Sequence, residues 1–169
     1  MFQRMVVIAA VFMSAIIPLS AAADVGMPAP EIAASRWLNS TPKSIAELKG
    51  RVALIHFWTF GCYNCRNVEP HVKEWHRQYA ERGLTVIGVH TPETAYERDV
   101  ANVERYLHDH DIQYPIAIDG DFTTWKRYAT TAWPTWYLID KRGILRHVHV
   151  GEGAYAETEH EIQSLLSED

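Results

Sequence analysis

Cysteine and an excess of positive charge are both lacking in this chain. Two cysteines in 169 residues are too few for a disulfide-stabilised scaffold and, alone, too few for a cysteine-rich zinc site. The net charge of −5 gives no reason to expect nucleic acid or an anionic lipid surface as a partner. The glycine motifs that bind nucleotide phosphates and the G-x-S-x-G of serine hydrolases are also missing from the sequence. Nucleotide cofactors and serine-based hydrolysis are therefore unsupported.

The composition is otherwise typical of one folded domain. Apolar residues make up 47% and charged residues 22% of the chain, which is ordinary for a globular protein and too apolar for a disordered one. The sequence shows no long internal repeat and no low-complexity tract. Its length predicts one domain with a short appendage.

The N-terminus has the features of an export signal. Arg4 supplies a positive charge, Met5 to Leu19 is almost wholly apolar, and Ala21 to Ala23 is a small-residue cleavage site. The apolar run is shorter than the roughly 20 residues that span a bilayer, which favours a cleaved signal over a retained anchor. We predict a signal peptide at residues 1–23 and a domain at 24–169. The location is then periplasmic or otherwise extracytoplasmic, with no stable membrane insertion after cleavage.

Hydrophobic patterns predict an α/β fold with a mixed central sheet. Continuous apolar runs predict buried strands, and apolar spacings of three and four predict amphipathic helices. The predicted strands are 52–58, 84–89, 114–118, 135–139 and 144–150, and the predicted helices are 63–82, 95–110, 122–128 and 157–166. Residues 24–50 are expected to be irregular or to form short strands. This order implies parallel strands with crossover helices, then an antiparallel hairpin, with helices on both faces of the sheet.

Cys62 and Cys65 form a C-x-x-C pair at a junction between a predicted buried strand and a helix. Free backbone N–H groups and the helix dipole favour a thiolate there, and the thiolate is the attacking species in disulfide exchange. The second sulfur can then resolve a mixed disulfide by internal attack, so that the two sulfurs carry the electrons and no cofactor is required. A structural disulfide and half of a zinc site are the alternatives. The first would add little stability across so short a loop, and the second needs two more ligands.

Several motifs resemble those of the thioredoxin superfamily. They are Phe57 to Cys65 around the dithiol, Pro70, Trp133-Pro134-Thr135, and Gly151 after the last strand. Within the superfamily the chain resembles exported thiol–disulfide oxidoreductases of the TlpA/ResA type. The segments Gly88 to Glu93 and Gly151 to Gly153 resemble most the C-terminal thioredoxin-like domain of DipZ-type proteins. The resemblance covers roughly residues 27–167 and implies a thioredoxin-like fold.

The resemblance also implies how the site works. Cys62 would be the nucleophile and Cys65 the buried resolving thiol. Pro134 would face the sulfurs after a cis peptide bond, leaving the backbone of Trp133 free to pair with a substrate main chain. An ordinary trans proline at a strand start is the alternative for Pro134. The membrane electron-transfer domain of DipZ-type proteins is not in this sequence, so we expect a membrane electron donor or another redox partner on a separate chain.

The resolving thiol must lose a proton, so a base near Cys65 is expected. His56 occupies the position, six residues before the first cysteine, at which thioredoxin has a buried acid. Imidazole titrates near neutrality and suits the task, although a core histidine bonded to backbone is equally consistent with this position. Glu69 is expected to project elsewhere on its helix. Glu93 is the better acidic candidate because it follows a strand that should open on the edge of Cys62, with helix capping as its alternative.

Aromatic residues are expected to surround the dithiol. Trp58, Tyr63 and Trp133 would frame a shallow apolar surface around Cys62 that suits an unfolded or flexible peptide. The alternative is that Trp58 belongs to the core and that only Trp133 is exposed.

Two histidine pairs have spacings that could serve a metal ion. They are His147 with His149 and His108 with His110. The sequence offers no third ligand of matching geometry, so we predict no metal site.

The predicted function is that of an exported thiol–disulfide oxidoreductase acting on protein disulfides or dithiols. The resemblance favours a reductase over an oxidant. A thiol peroxidase is one alternative, although it needs a single reactive cysteine supported by Arg and Thr and has no use for a C-x-x-C partner. The other is a binding module on the same scaffold, either a holdase or a carrier of copper(I) between two thiolates.

Overall fold

The computed structural model describes residues 23–168 of the chain. The predicted signal peptide, apart from Ala23, lies outside these described residues. None of the helices in the described part combines the length and the hydropathy that a membrane-spanning helix needs.

The described part contains six strands and five helices. The strands are β1 Arg36–Leu38, β2 Val52–Trp58, β3 Leu84–His90, β4 Ile116–Ile118, β5 Thr135–Ile139 and β6 Leu145–Val150. The helices are α1 Tyr63–Tyr79, α2 Ala95–Arg98, α3 Val100–Asp109, α4 Thr123–Arg127 and α5 Tyr155–Ser167, with a short 3-10 turn at Ala46–Leu48.

All six strands join one mixed sheet in the order β1-β4-β3-β2-β5-β6. β2, β3 and β4 are parallel, whereas β1, β5 and β6 run antiparallel to their neighbours. Trp58 at the end of β2 lies opposite His90 at the end of β3. Thr135 at the start of β5 lies opposite Phe57. One edge of the sheet therefore gathers the ends of β2 and β3 and the start of β5, which is where ligand sites form in α/β proteins.

Each face of the sheet has its own hydrophobic core, because successive strand residues point to opposite faces. Leu54 and Trp58 of β2 face a core that includes side chains of α1, α3 and α5. Ile55 and Phe57 face a second core, covered by α4, the 3-10 turn and residues of the N-terminal segment. The predicted mixed sheet with helices on both faces is therefore confirmed.

The predicted single helix at 95–110 is wrong, because the chain forms two helices that meet at Asp99. Asp99 is extended, with φ −73° and ψ 111°, and its carboxylate accepts a hydrogen bond from Ala101 N–H at 3.0 Å. An aspartate that caps a new helix offers the backbone an alternative to continuing the old one. The break leaves α2 as a four-residue helix, and Glu97 within it is only 3% exposed.

Candidate active site

The two cysteines differ sharply in accessibility. Cys62 is the N-cap residue of α1, and its Sγ accepts a hydrogen bond from Cys65 N–H at 3.3 Å. Cys62 is half-buried, whereas Cys65 is 3% exposed, and no disulfide joins them. A visiting molecule can therefore reach the first sulfur, while the second is held behind it one helical turn away.

Cys65 is kept in its thiol form by its surroundings. Burial raises the pKa of the Cys65 thiol far above its ordinary value, and its hydrogen bond with Cys62 and the negative charge of Glu93 act in the same direction. Cys65 therefore requires removal of its proton when it reacts, as the sequence predicted on chemical grounds.

Trp133 and Pro134 lie at the sheet edge from which the cysteine loop departs. The peptide bond between them is cis. Pro134 carbonyl oxygen accepts a hydrogen bond from Gly151 N–H at 2.8 Å, which ties the loop before β5 to the end of β6. Trp133 is half-buried, and its ring lies 4.3 Å from that of Trp125 between centroids.

The aromatic surface is smaller than the sequence suggested. Trp58 is 3% exposed and belongs to the core, where its ring contacts His90 and Tyr106. Tyr63, at the first position of α1, is 69% exposed. Of the three aromatic residues expected around Cys62, therefore, only Tyr63 and the half-buried Trp133 reach the surface.

His56 is a core residue on the same face of β2 as Trp58. Its side chain is 2% exposed and packs edge-on against Trp136, with 6.2 Å between ring centroids. Neither ring nitrogen has a hydrogen-bond partner among residues 23–168. Burial lowers the pKa of His56 to about 3, so its imidazole is neutral at physiological pH.

Glu93 follows β3 and is exposed. It does not cap the next helix, because that cap is Thr94, whose hydroxyl accepts a hydrogen bond from Glu97 N–H. Its carboxylate is nevertheless one of the charges that raise the pKa of Cys65. Glu93 therefore remains an acidic group within electrostatic reach of the resolving thiol.

Sequence reasoning missed a buried carboxylate beside the cysteine loop. Glu97 accepts hydrogen bonds from the backbone N–H groups of Gly61 at 2.9 Å, Glu93 at 2.8 Å and Thr94 at 2.7 Å. The spacing Thr94-x-x-Glu97 is that of a capping box, which could have signalled a buried glutamate. Its contact with Gly61 joins residues far apart in sequence and has no local signal.

The remaining acidic and histidine candidates lie elsewhere. Glu69 accepts a hydrogen bond from Tyr106 hydroxyl at 2.7 Å and lies 3.1 Å from His110 Nδ1. Its side chain therefore faces α3, in keeping with the expectation that Glu69 does not serve as the base for Cys65. His149 of β6 stacks on the core residue Trp136. Across the described residues, no three metal-ligating side chains come together.

Known proteins are similar to this chain in sequence and in fold. The AhpC/TSA family matches residues 25–148. The protein DipZ of Mycobacterium tuberculosis is 44% identical over 135 residues, which cover 78% of this chain and 19% of DipZ. The thiol-disulfide oxidoreductase YkuV of Bacillus subtilis is 30% identical over 142 residues, which cover 83% of this chain and 95% of YkuV. The crystal structure of a thioredoxin-like superfamily protein superposes with a TM-score of 0.78 at 29% identity, over 85% of this chain and 98% of that one.

These matches confirm the expected thioredoxin-like fold and the resemblance to DipZ. The chain spans about a fifth of the length of DipZ, whereas it matches YkuV over nearly the whole of that protein.

Proposed function

Because the chain belongs to the AhpC/TSA family and is a thioredoxin-like thiol–disulfide oxidoreductase, we propose that it is exported and reduces disulfide bonds of proteins outside the cytoplasm. Residues 1–23 would direct the export. The observation that carries the proposal is the unequal pair of free thiols, Cys62 half-buried at a helix start and Cys65 buried behind it.

The reaction moves two electrons from the dithiol to the substrate. The Cys62 thiolate attacks one sulfur of a substrate disulfide, so that a mixed disulfide forms and one substrate thiolate leaves. Cys65 then gives up its proton and attacks Cys62 Sγ, which breaks the mixed disulfide and releases the second substrate thiolate. The protein ends with a Cys62–Cys65 disulfide, and the substrate ends with two thiols once its thiolates have taken up protons.

Supporting residues would assist each step. We propose that Trp133 and Pro134 align an extended substrate chain beside Cys62, since they lie at the same sheet edge. Glu93 would accept the Cys65 proton and exchange it with water, because it is exposed and its charge acts on Cys65. His56 would be limited to relaying a proton through its neutral ring, because burial lowers its pKa to about 3.

Continued turnover needs a source of electrons. The oxidised dithiol must receive two electrons before it can act again, and the extracytoplasmic space has no glutathione–thioredoxin pool to supply them. We therefore propose a membrane electron donor or another redox partner as the source of these electrons. The substrate and the donor would each meet the dithiol at Cys62, since Cys65 is 3% exposed.

Insulin reduction tests the activity and its direction. Residues 24–169 with dithiothreitol should precipitate the insulin B chain much faster than dithiothreitol alone. The reduction potential should lie near that of thioredoxin, about −270 mV, whereas a value near about −120 mV would mark an oxidant. Inactivity towards insulin together with hydrogen peroxide consumption would favour a thiol peroxidase. Inactivity together with stoichiometric copper(I) binding would favour a binding module.

Replacing Cys65 with alanine should trap the partners. The first attack by Cys62 is retained, but the mixed disulfide has no internal thiol to resolve it. Adducts should accumulate in the native compartment and disappear on treatment with dithiothreitol, as seen by non-reducing electrophoresis and mass spectrometry. The double variant Cys62→Ala/Cys65→Ala is the matched control and should form none. An absence of adducts with Cys65→Ala would count against exchange with proteins.

A further inference from the structure

The geometry assigns Glu97 as a positioning residue for Cys62, a role that rests on the proposed function. Its carboxylate joins the loop in front of Cys62 to the start of α2. This contact holds Cys62 in position relative to Cys65, with which it forms the disulfide. One Glu97 oxygen accepts from Gly61 N–H at 2.9 Å, and Gly61 immediately precedes Cys62. The other oxygen accepts from the N–H groups of Glu93 and Thr94, at 2.8 and 2.7 Å.

The site is built to hold a carboxylate. Glu97 is 3% exposed, and burial by itself would raise its pKa. Hydrogen bonds from Thr94, Thr59 and Glu93 outweigh burial, so that the pKa of Glu97 lies below its ordinary value. Three backbone donors converge on one charged group, and charge-assisted bonds of this kind are among the stronger ones in proteins. Removing the acceptor would leave these backbone N–H groups unpaired.

Gly61 and Glu97 are sterically matched. A Cβ atom on Gly61 would lie 2.0 Å from Glu97 Oε1, so any larger residue must displace the carboxylate. The backbone of Gly61 is not in the left-handed region, which means that contact with Glu97 is the obstacle to a side chain there. The glycine before Cys62 is therefore explained by the close approach of Glu97.

The same loop is held at a second point, on the far side of Phe60. Thr59 Oγ1 lies 3.3 Å from His90 Nε2, and both residues are buried. The ring of Phe60 stacks on those of His90 and Tyr106, with centroid separations of 5.6 and 5.4 Å. The first part of the loop is thus fixed by β3 and α3, and Glu97 is the contact that fixes its last residue before the nucleophile.

Both oxygens of Glu97 accept hydrogen bonds from backbone N–H groups, and its contact with the cysteine loop is at Gly61, so Glu97 acts on Cys62 through Gly61. The expected consequence is on the equilibrium between dithiol and disulfide. A fixed loop keeps Cys62 close to Cys65 and favours ring closure, and a loosened loop lowers that effective concentration. A purely structural role would weaken the oxidised and reduced forms equally and leave this equilibrium unchanged.

The test is the equilibrium constant of the dithiol against glutathione, measured on the folded protein. Glu97→Ala should lower the constant for disulfide formation about 10-fold, equivalent to a potential about 30 mV less negative. Glu97→Gln should lower it about 3-fold, because one amide oxygen can still accept a hydrogen bond. Glu104→Gln, which changes an exposed glutamate of α3 paired with Arg36, is the matched control and should leave the constant unchanged.

A double-variant cycle makes the assignment specific. Gly61→Ala should mimic Glu97→Ala, because the added Cβ displaces the carboxylate, and it should have almost no further effect in the Glu97→Ala background. The positioning role of Glu97 would be overturned if Glu97→Ala and Glu97→Gln kept the wild-type constant for disulfide formation. It would also be overturned if the effects of Gly61→Ala and Glu97→Ala on that constant were additive. Failure of the proposed function is distinguishable, since it would appear in the wild-type protein as a dithiol that does not equilibrate with glutathione or reduce insulin.

Discussion

Replacing Cys62 with serine is expected to abolish disulfide reduction, lowering the initial rate of insulin reduction by roughly 10³-fold or more. A serine hydroxyl is a poor nucleophile near neutral pH and cannot form a disulfide, so neither the first attack nor the transfer of electrons can occur. Cys62 caps α1, and serine is itself a preferred capping residue. The folded state should therefore be retained, with a melting temperature close to that of the wild type.

The unequal burial of the two sulfurs supplies an internal check on that result. In Cys65→Ser the remaining Cys62 should react readily with iodoacetamide under native conditions. In Cys62→Ser the remaining Cys65, which is 3% exposed, should react at least about 10-fold more slowly because its thiol is buried and protonated. Equal rates in the two variants, or substantial insulin reduction by Cys62→Ser, would contradict the assignment of Cys62 as nucleophile.

The sheet and the dithiol could be predicted because their signals are local. A continuous apolar run marks β2, whose seven residues are all buried. Cys62 ends the loop that follows β2 and is the N-cap residue of the next helix. The three parallel strands follow from the alternation of strands and helices, because a helical crossover between two neighbouring strands of a sheet makes them parallel. These features depend on neighbours within a few residues of the chain.

The break between α2 and α3 could not be obtained from hydrophobic spacing. Val103 and Leu107 are buried in α3, and their spacing also suits one long helix. Asp99 decides the outcome through a hydrogen bond to Ala101 N–H, and capping competes with helix continuation in a way that apolar periodicity does not record.

Long-range contacts explain what else sequence reasoning lacked. Gly61 and Glu97 are 36 residues apart, so the contact between them has no sequence pattern of its own. Trp58 is buried because its ring packs against His90 of β3 and Tyr106 of α3. The position of Glu93 at the end of β3 therefore predicts it as the acidic candidate, whereas the buried carboxylate is that of Glu97, four residues further along the chain.

Two buried histidines are expected to make the protein unusually sensitive to mild acid. Burial lowers the pKa of His56 to about 3 and that of His90 to about 4, with the charge of Glu97 partly opposing the shift at His90. In the unfolded chain both should titrate with a pKa of about 6.5. Between these values the unfolded state binds more protons than the folded state, so the free energy of unfolding falls as pH falls through that window.

The size of the acid effect follows from the two shifts together. Lowering the pH from about 6.5 to about 5 should remove about 3 kcal/mol from the free energy of unfolding. That loss corresponds to a decrease in melting temperature of roughly 6–12 °C for a domain of this size. Carboxylates with lowered pKa values, such as Asp140 at about 2, lose their contribution at lower pH, so this window reports mainly the histidines. Burial also lowers the pKa of His76, which acts in the same direction as the two buried histidines.

Substitution of His56 separates its contribution from the rest. His56→Phe keeps an aromatic ring beside Trp136 and removes two buried nitrogens that have no partner among the described residues. It should therefore remove about half of the decrease in melting temperature between pH 6.5 and 5. His160→Gln, at an exposed position of α5, is the matched control and should keep the full wild-type decrease. A wild-type melting temperature that stays constant over this range, or an unchanged slope in His56→Phe, would show that His56 is not buried in its neutral form.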